Sequence, residues 1–133
     1  MTRLFKTHSL LRTLNKDSLS SPKVRIINAD AFPWLQQSRE LFDVAIIDFP
    51  DPNNYSLGKL YSTAFYRLLS RSLAEDGLAV VQSTSPMFAR QSFWCIVETL
   101  KAAGLKTYPY HAYVPSFGEW GFVLASRTDW SPA

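Results

Sequence analysis

Apolar positions along the chain fall into runs of two periods, and the runs alternate. Residues 2–19 place Leu4, Phe5, His8, Leu11, Leu14 and Leu19 at roughly helical spacing. They predict an amphipathic helix that ends near Ser18, Ser20, Ser21 and Pro22. KVRIINA, residues 23–29, is rich in β-branched residues and bounded by Pro22 and Asp30, which predicts a strand. A short helix is expected from Ala31 to about Ser38, broken or capped near Pro33. FDVAIIDF, residues 42–49, is almost continuously apolar, the mark of a strand covered on both faces. Residues 59–75 carry Leu60, Phe65, Leu68, Leu69 and Leu73 as a second amphipathic helix. GLAVVQST, residues 77–84, reads as a buried strand entered through the Asp76-Gly77 turn. Residues 88–104 form a long helix with Gly104 placed to terminate it. Residues 106–115 and 120–128 read as two strands joined by a loop at 116–119, short enough for an antiparallel hairpin.

The order is α β α β α β α β β. Alternation of this kind predicts an α/β fold: a mostly parallel sheet with helices on both faces and an antiparallel hairpin at its C-terminal end. Residues 1–128 read as one domain and 129–133 as a loose tail.

Composition narrows the function classes. The 133 residues suffice for one core. The net charge of +3 comes from scattered basic residues rather than a stripe, so no nucleic-acid partner is expected. Cys95 is the sole cysteine, which excludes an internal disulfide and a multi-cysteine metal site. Its place in an apolar helical run predicts an inert core thiol. No run approaches the length of a membrane span, and Met1 is followed by a charged amphipathic stretch unlike a signal peptide. A cytoplasmic location is expected for this segment.

The chemistry concentrates at strand ends. In a sheet of this type ligands bind outside the carboxyl ends of the strands. Asp30 follows the first predicted strand, Asp48 and Asp51 the second, and Gln82 to Ser85 the third. Asp30 suits a helix cap before Ala31, and Asp51 before Pro52 suits a turn. Asp48, at the end of so apolar a run, needs a partner or a use. The residue types leave three readings of the acid pair: a solvated turn, a metal site or a cationic ligand. Without His or Cys nearby zinc is disfavoured, whereas magnesium held partly by water stays open.

Several strings taken together resemble one family. They are DVAIIDFPDPNN, the following LGKLYSTAFYRLL helix, VVQSTSP and VPSFGEWGF. They resemble the polyamine aminopropyltransferases, the spermidine synthase family, and within it a bacterial branch that often carries a membrane-spanning N-terminal region. The resemblance covers about Met1 to Ser126. It implies transfer of an aminopropyl group from decarboxylated S-adenosylmethionine, a co-substrate, to putrescine or a similar amine. No prosthetic group and no metal are implied. It makes Asp48 the catalytic base and Asp51 the holder of the cationic amine. Gln82 lines the amine site, Glu119 adds negative charge at its mouth, and Asp30 with Ala31 contacts the adenine. The resemblance puts residues 115–121 at that mouth, while His111, most other aromatics of the hairpin, and Phe93 and Trp94 read as packing residues. The implied partners are a polyamine and a nucleoside sulfonium, with a second copy or an N-terminal half as further candidates. The resemblance implies that some full-length relatives are attached to the inner membrane. A methyltransferase on a similar fold and a non-catalytic scaffold domain are the alternatives.

The family's fold is a methyltransferase-like relative of the Rossmann fold, with strand order 3-2-1-4-5-7-6. This chain has five glycines and no G-x-G. It is therefore expected to lack the first two strands and the glycine loop, and to be a truncated portion whose own activity is doubtful. Three consequences are expected. Residues 24–29 pair beside residues 44–49 or are poorly placed. The strand at 42–49 is an exposed apolar edge. The nucleoside binds weakly or not at all to this chain alone.

Overall fold

A computed structural model describes residues 1–52 and 54–131. The chain divides into two compact units, Met1–Asp30 and Ala31–Ala133.

In the first unit the single helix expected over 2–19 is two short ones, α1 (Thr2–Thr7) and α2 (Ser9–Leu14), followed by a 3-10 turn at Ser18–Ser20. His8 separates them with an extended backbone, φ −81° and ψ 124°. Lys16 and Asp17 then take left-handed φ values of 52° and 53°. No residue of either helix is buried. Tertiary packing of an apolar face supplies most of a helix's stability, and that support is missing here. The strand expected at 23–29 is a correction: these residues form none. Extended backbone is stabilised by a neighbouring strand's hydrogen bonds, and no ladder reaches this segment. Val24 and Ile27 accordingly stay exposed.

The second unit holds the sheet. Its elements are α3 (Ala31–Gln37), β1 (Phe42–Ile47), α4 (Tyr55–Gly58), a 3-10 turn (Lys59–Tyr61), α5 (Thr63–Ser72), β2 (Leu73–Gln82), α6 (Arg90–Ala102), β3 (Lys106–Val114) and β4 (Gly118–Ser126). Pro33 sits in the first turn of α3, where its missing N–H costs no helical bond. The helix expected over 59–75 begins only at Thr63. The Ser62 hydroxyl accepts the Phe65 N–H at 3.2 Å, a side-chain cap that starts α5. α5 ends at Ser72, and the chain turns directly into β2.

The strands lie in the order β1-β2-β4-β3. This reproduces the 4-5-7-6 half of the expected sheet. β1 and β2 run parallel, and β2–β4 and β4–β3 run antiparallel. The sheet is thus mixed, and the parallel part is one strand pair because residues 23–29 add no strand. Near its start the β1–β2 register jumps from Phe42↔Leu73 to Val44↔Leu78, so residues 74–77 bulge opposite Asp43 alone. Gly77 permits this approach, since a Cβ there would stand 2.7 Å from the Phe42 carbonyl oxygen. The β3–β4 hairpin turns at Gly118, whose φ of +78° favours glycine.

One sheet face carries Ala79, Val81, Val123 and Ala125. It packs with Phe65, Tyr66 and Leu69 of α5 and Phe93, Val97 and Leu100 of α6. Side chains as large as these contribute roughly 1.5–3 kcal/mol each when fully buried. The expectation of helices on both faces is not met within this unit, because its core cluster lies on one face only. On the other face Val44 and Ile46 of β1 are 59% and 76% exposed. β1 is therefore the apolar edge strand expected, half-covered rather than buried on both faces. Along α6 the inward stripe is Phe93, Ile96, Val97 and Leu100. Trp94 and Cys95 fall outside that stripe, and both are exposed. The core thiol and core Trp94 expected from the apolar run are corrected accordingly. Of the expected tail, Trp130 donates its backbone N–H to the Tyr108 hydroxyl at 2.8 Å, and Asp129 pairs with Lys106 at 3.4 Å. Residues 132 and 133 lie outside the described residues.

Candidate active site

β1 and β2 are parallel neighbours, so their carboxyl ends open side by side. The chain leaves β1 through Asp48, Phe49, Pro50, Asp51 and Pro52, a segment whose two prolines exclude a helix. Tyr61, in the 3-10 turn before α5, fastens it. Its hydroxyl donates toward the carbonyl oxygens of Phe49 at 3.0 Å and Pro50 at 3.3 Å. Phe49 stacks edge-on against Phe65 at 5.7 Å, which ties the turn to the core. The turn is thus held by its backbone and its one aromatic side chain, and both carboxylates stay at the solvent surface.

Burial, with the negative charges of Asp51 and Asp48, raises the Tyr61 phenol to about 12. A phenol raised in the fold binds its proton more tightly there than in the unfolded chain. The stabilisation is complete below the unfolded value near pH 10 and is lost as pH rises toward 12. Tyr61→Phe is expected to lose less stability than the parent between those pH values, read as urea midpoints along an alkaline series. Equal losses in the two chains would show that the Tyr61 phenol is not raised by burial beside the two aspartates.

Asp48 and Asp51 lie on one cavity of about 640 Å³. Ile46 and Val80 form its floor, Gln82 lies at the end of β2, and Val114, Phe117, Trp120 and Phe122 of the hairpin form the facing wall. Phe117 and Trp120 pack at 5.3 Å, and Phe122 stacks on Tyr110 at 5.5 Å. The Gln82 side-chain oxygen is buried and has no hydrogen-bond partner among the described residues. A buried amide acceptor left unpaired is costly unless a ligand or water completes it. No group of three or more His, Cys, Asp or Glu is placed to hold a metal among the described residues. The chemistry on offer is two carboxylates and an amide oxygen facing an aromatic wall. That arrangement suits an organic cation with an apolar body.

The structure therefore brings together three of the residues expected from sequence: Asp48, Asp51 and Gln82. Glu119 stands apart from them. Trp120 faces the cavity, so its strand neighbour projects to the opposite side. The Glu119 carboxylate lies 2.6 Å from His111 Nδ1, and its carbonyl accepts the Ser85 hydroxyl at 2.8 Å. Ala31 packs against the core at the start of α3 and does not line the cavity. Asp30 ends the first unit. Tyr61 escaped sequence reasoning and was visible only as part of a helical string. Most of the hairpin aromatics read as packing, although the family resemblance puts residues 115–121 at the mouth of the amine site, and Phe117 is 64% exposed.

The chain matches the spermine/spermidine synthase domain over residues 5–131. The chain belongs to this family. It is 58% identical to polyamine aminopropyltransferase 2 of Ralstonia nicotianae, over 99% of this chain and 26% of that protein. It is 56% identical to a polyamine aminopropyltransferase of Leptospira interrogans, over 96% of this chain and 26% of the relative. The chain thus spans about a quarter of the length of the curated relatives it matches. Among solved structures, a spermidine synthase in complex with the transition-state analogue AdoDATO superposes with a TM-score of 0.75 at 25% identity, over 89% of this chain and 42% of that one. Spermidine synthase from Thermotoga maritima superposes with a TM-score of 0.71 at 21% identity, over 92% of this chain and 44% of that one. These neighbours agree with the mixed α/β sheet and with the methyltransferase-like architecture read from the spermidine synthase strings. No helix among the described residues is long and apolar enough to cross a membrane.

Proposed function

We propose that this chain carries the amine-handling side of an aminopropyl-transfer site. The observation that supports it is the convergence of Asp48, Asp51 and the unpaired Gln82 oxygen on one aromatic-walled cavity. In this reading decarboxylated S-adenosylmethionine is the donor and putrescine or a similar diamine the acceptor. The amine nitrogen attacks the carbon beside the sulfonium. The C–S bond breaks, its electron pair neutralises the sulfur, and 5′-methylthioadenosine leaves. The nitrogen sheds a proton as the new C–N bond forms.

An alkylamine has a pKa of about 10, so presenting it neutral at pH 7 costs about 4 kcal/mol. A carboxylate at the attacking nitrogen accepts the proton that this nitrogen sheds as the bond forms. Asp48 has that role. Asp51 holds the distal ammonium, and Gln82 accepts an N–H. The methylenes between the amines pack on Phe117, Trp120 and Phe122. Asp30 and Ala31 are assigned to the adenine on family resemblance alone. The segment is placed in the cytoplasm.

Titrating the isotope-labelled chain with putrescine tests this reading. Chemical-shift changes are expected to centre on residues 46–51, 80–82 and 117–122. Asp51→Asn is expected to weaken binding about ten-fold, the loss of one charge-assisted contact. A response scattered over the surface, or one that Asp51→Asn leaves unchanged, would remove the basis for an amine site.

A further inference from the structure

Three hydroxyl residues follow β2, and all three are buried: Ser83, Thr84 and Ser85 at 0%, 7% and 2% exposure. Two of them use their hydroxyls on nearby backbone. Ser83 donates to the Val81 carbonyl at 2.9 Å, and Ser85 to the Glu119 carbonyl at 2.8 Å. Thr84 differs. Its Oγ1 lies 3.4 Å from Asp51 Oδ2, a long hydrogen bond to the segment that leaves β1.

The backbone explains how Thr84 comes to point there. Its φ is +58°, a left-handed conformation that a β-branched residue seldom adopts. β4 holds it in place. The Gly121 N–H donates to the Thr84 carbonyl at 2.7 Å, and the Ser83 N–H donates to the Gly121 carbonyl at 2.9 Å. The position of the hydroxyl is thereby set by the β2–β4 pairing and not by the Asp51 turn. Sparsely populated conformations at a non-glycine residue persist where the surroundings over-determine them, and they cluster at functional sites.

We infer that Thr84 is a positioning residue for Asp51. Its hydroxyl tethers one carboxylate oxygen from behind and leaves the other turned toward the cavity. Thr84 does not itself line the cavity, so it acts through Asp51. An untethered aspartate at the surface samples several staggered rotamers. Held in one, Asp51 presents its carboxylate to the distal ammonium from a fixed position at the cavity. This rests on the amine-holding role proposed for Asp51.

Two measurements on the full chain separate the two ideas. The χ1 couplings of Asp51, read by NMR without ligand, are expected to report one rotamer in the parent and in Thr84→Ser. In Thr84→Val they are expected to report rotamer averaging. Putrescine binding is expected to weaken about three- to ten-fold in Thr84→Val and to stay within about two-fold in Thr84→Ser, which keeps the hydroxyl. A single Asp51 rotamer in Thr84→Val, or an Asp51 that already averages in the parent, overturns the tether. If Asp51→Asn leaves putrescine binding unchanged, the amine-holding role fails, and the couplings still decide the tether by themselves.

Discussion

Gly121→Ala is expected to cost about 3 kcal/mol or more and to lower the melting temperature by roughly 10 °C. A Cβ at residue 121 would stand 2.5 Å from Phe93 Cε2, 2.7 Å from Phe93 Cδ2 and 2.7 Å from the Thr84 carbonyl oxygen. None of the three can withdraw cheaply. Phe93 is 3% exposed in the core of α6 and packs edge-on against Trp94 at 5.3 Å. The Thr84 oxygen accepts the hydrogen bond of Gly121 itself. Moving either group strains α6 or opens the β2–β4 ladder at its site end. The loss is a large share of the roughly 5–15 kcal/mol that stabilises an ordinary domain. Gly58→Ala is the control, since nothing lies within 4 Å of a Cβ there. A Gly121→Ala chain that melts with the parent would show that α6 can shift at no cost, contrary to the packing described.

Asp48→Asn should separate binding from chemistry. Asparagine keeps the shape of the side chain and loses the proton acceptor. On the function proposed above, release of 5′-methylthioadenosine from decarboxylated S-adenosylmethionine and putrescine is expected to slow by about 10²–10⁴-fold, the usual contribution of a general base. Putrescine affinity is expected to change far less than in Asp51→Asn, because Asp51 is the residue assigned to hold the charge. The defect should shrink as pH rises toward 10, where a growing fraction of the amine is neutral without help. A rate loss that is independent of pH, or an affinity loss equal to that of Asp51→Asn, would reassign Asp48 to cation binding.

The sequence was most informative where one physical effect dominates. Long apolar periods marked α5, α6 and the four strands, because burial of a single face selects both element type and register. The D-x-x-D-P turn exposed the acid pair, since two carboxylates after an apolar run have few uses. Reading failed where an element depends on a neighbour. Residues 23–29 have the composition of a strand, but composition supplies no ladder. Cys95 sits in an apolar string, but its angle around α6 turns it outward. Glu119 carries the charge expected at the mouth of the cavity, but strand alternation sends its side chain to His111.

The sequence by itself determined the family, the acid pair and the succession of the four sheet strands with α5 and α6, because these rest on residue types and local spacing. Tertiary structure decided which polar groups share a cavity. Pairing β1 beside β2 brings Gln82 to the aspartates, and folding β4 against β2 supplies the aromatic wall and sets Thr84 behind Asp51. Contacts across tens of residues depend on register and on which face a side chain takes, and a one-residue shift in either would have left the same acids without a site.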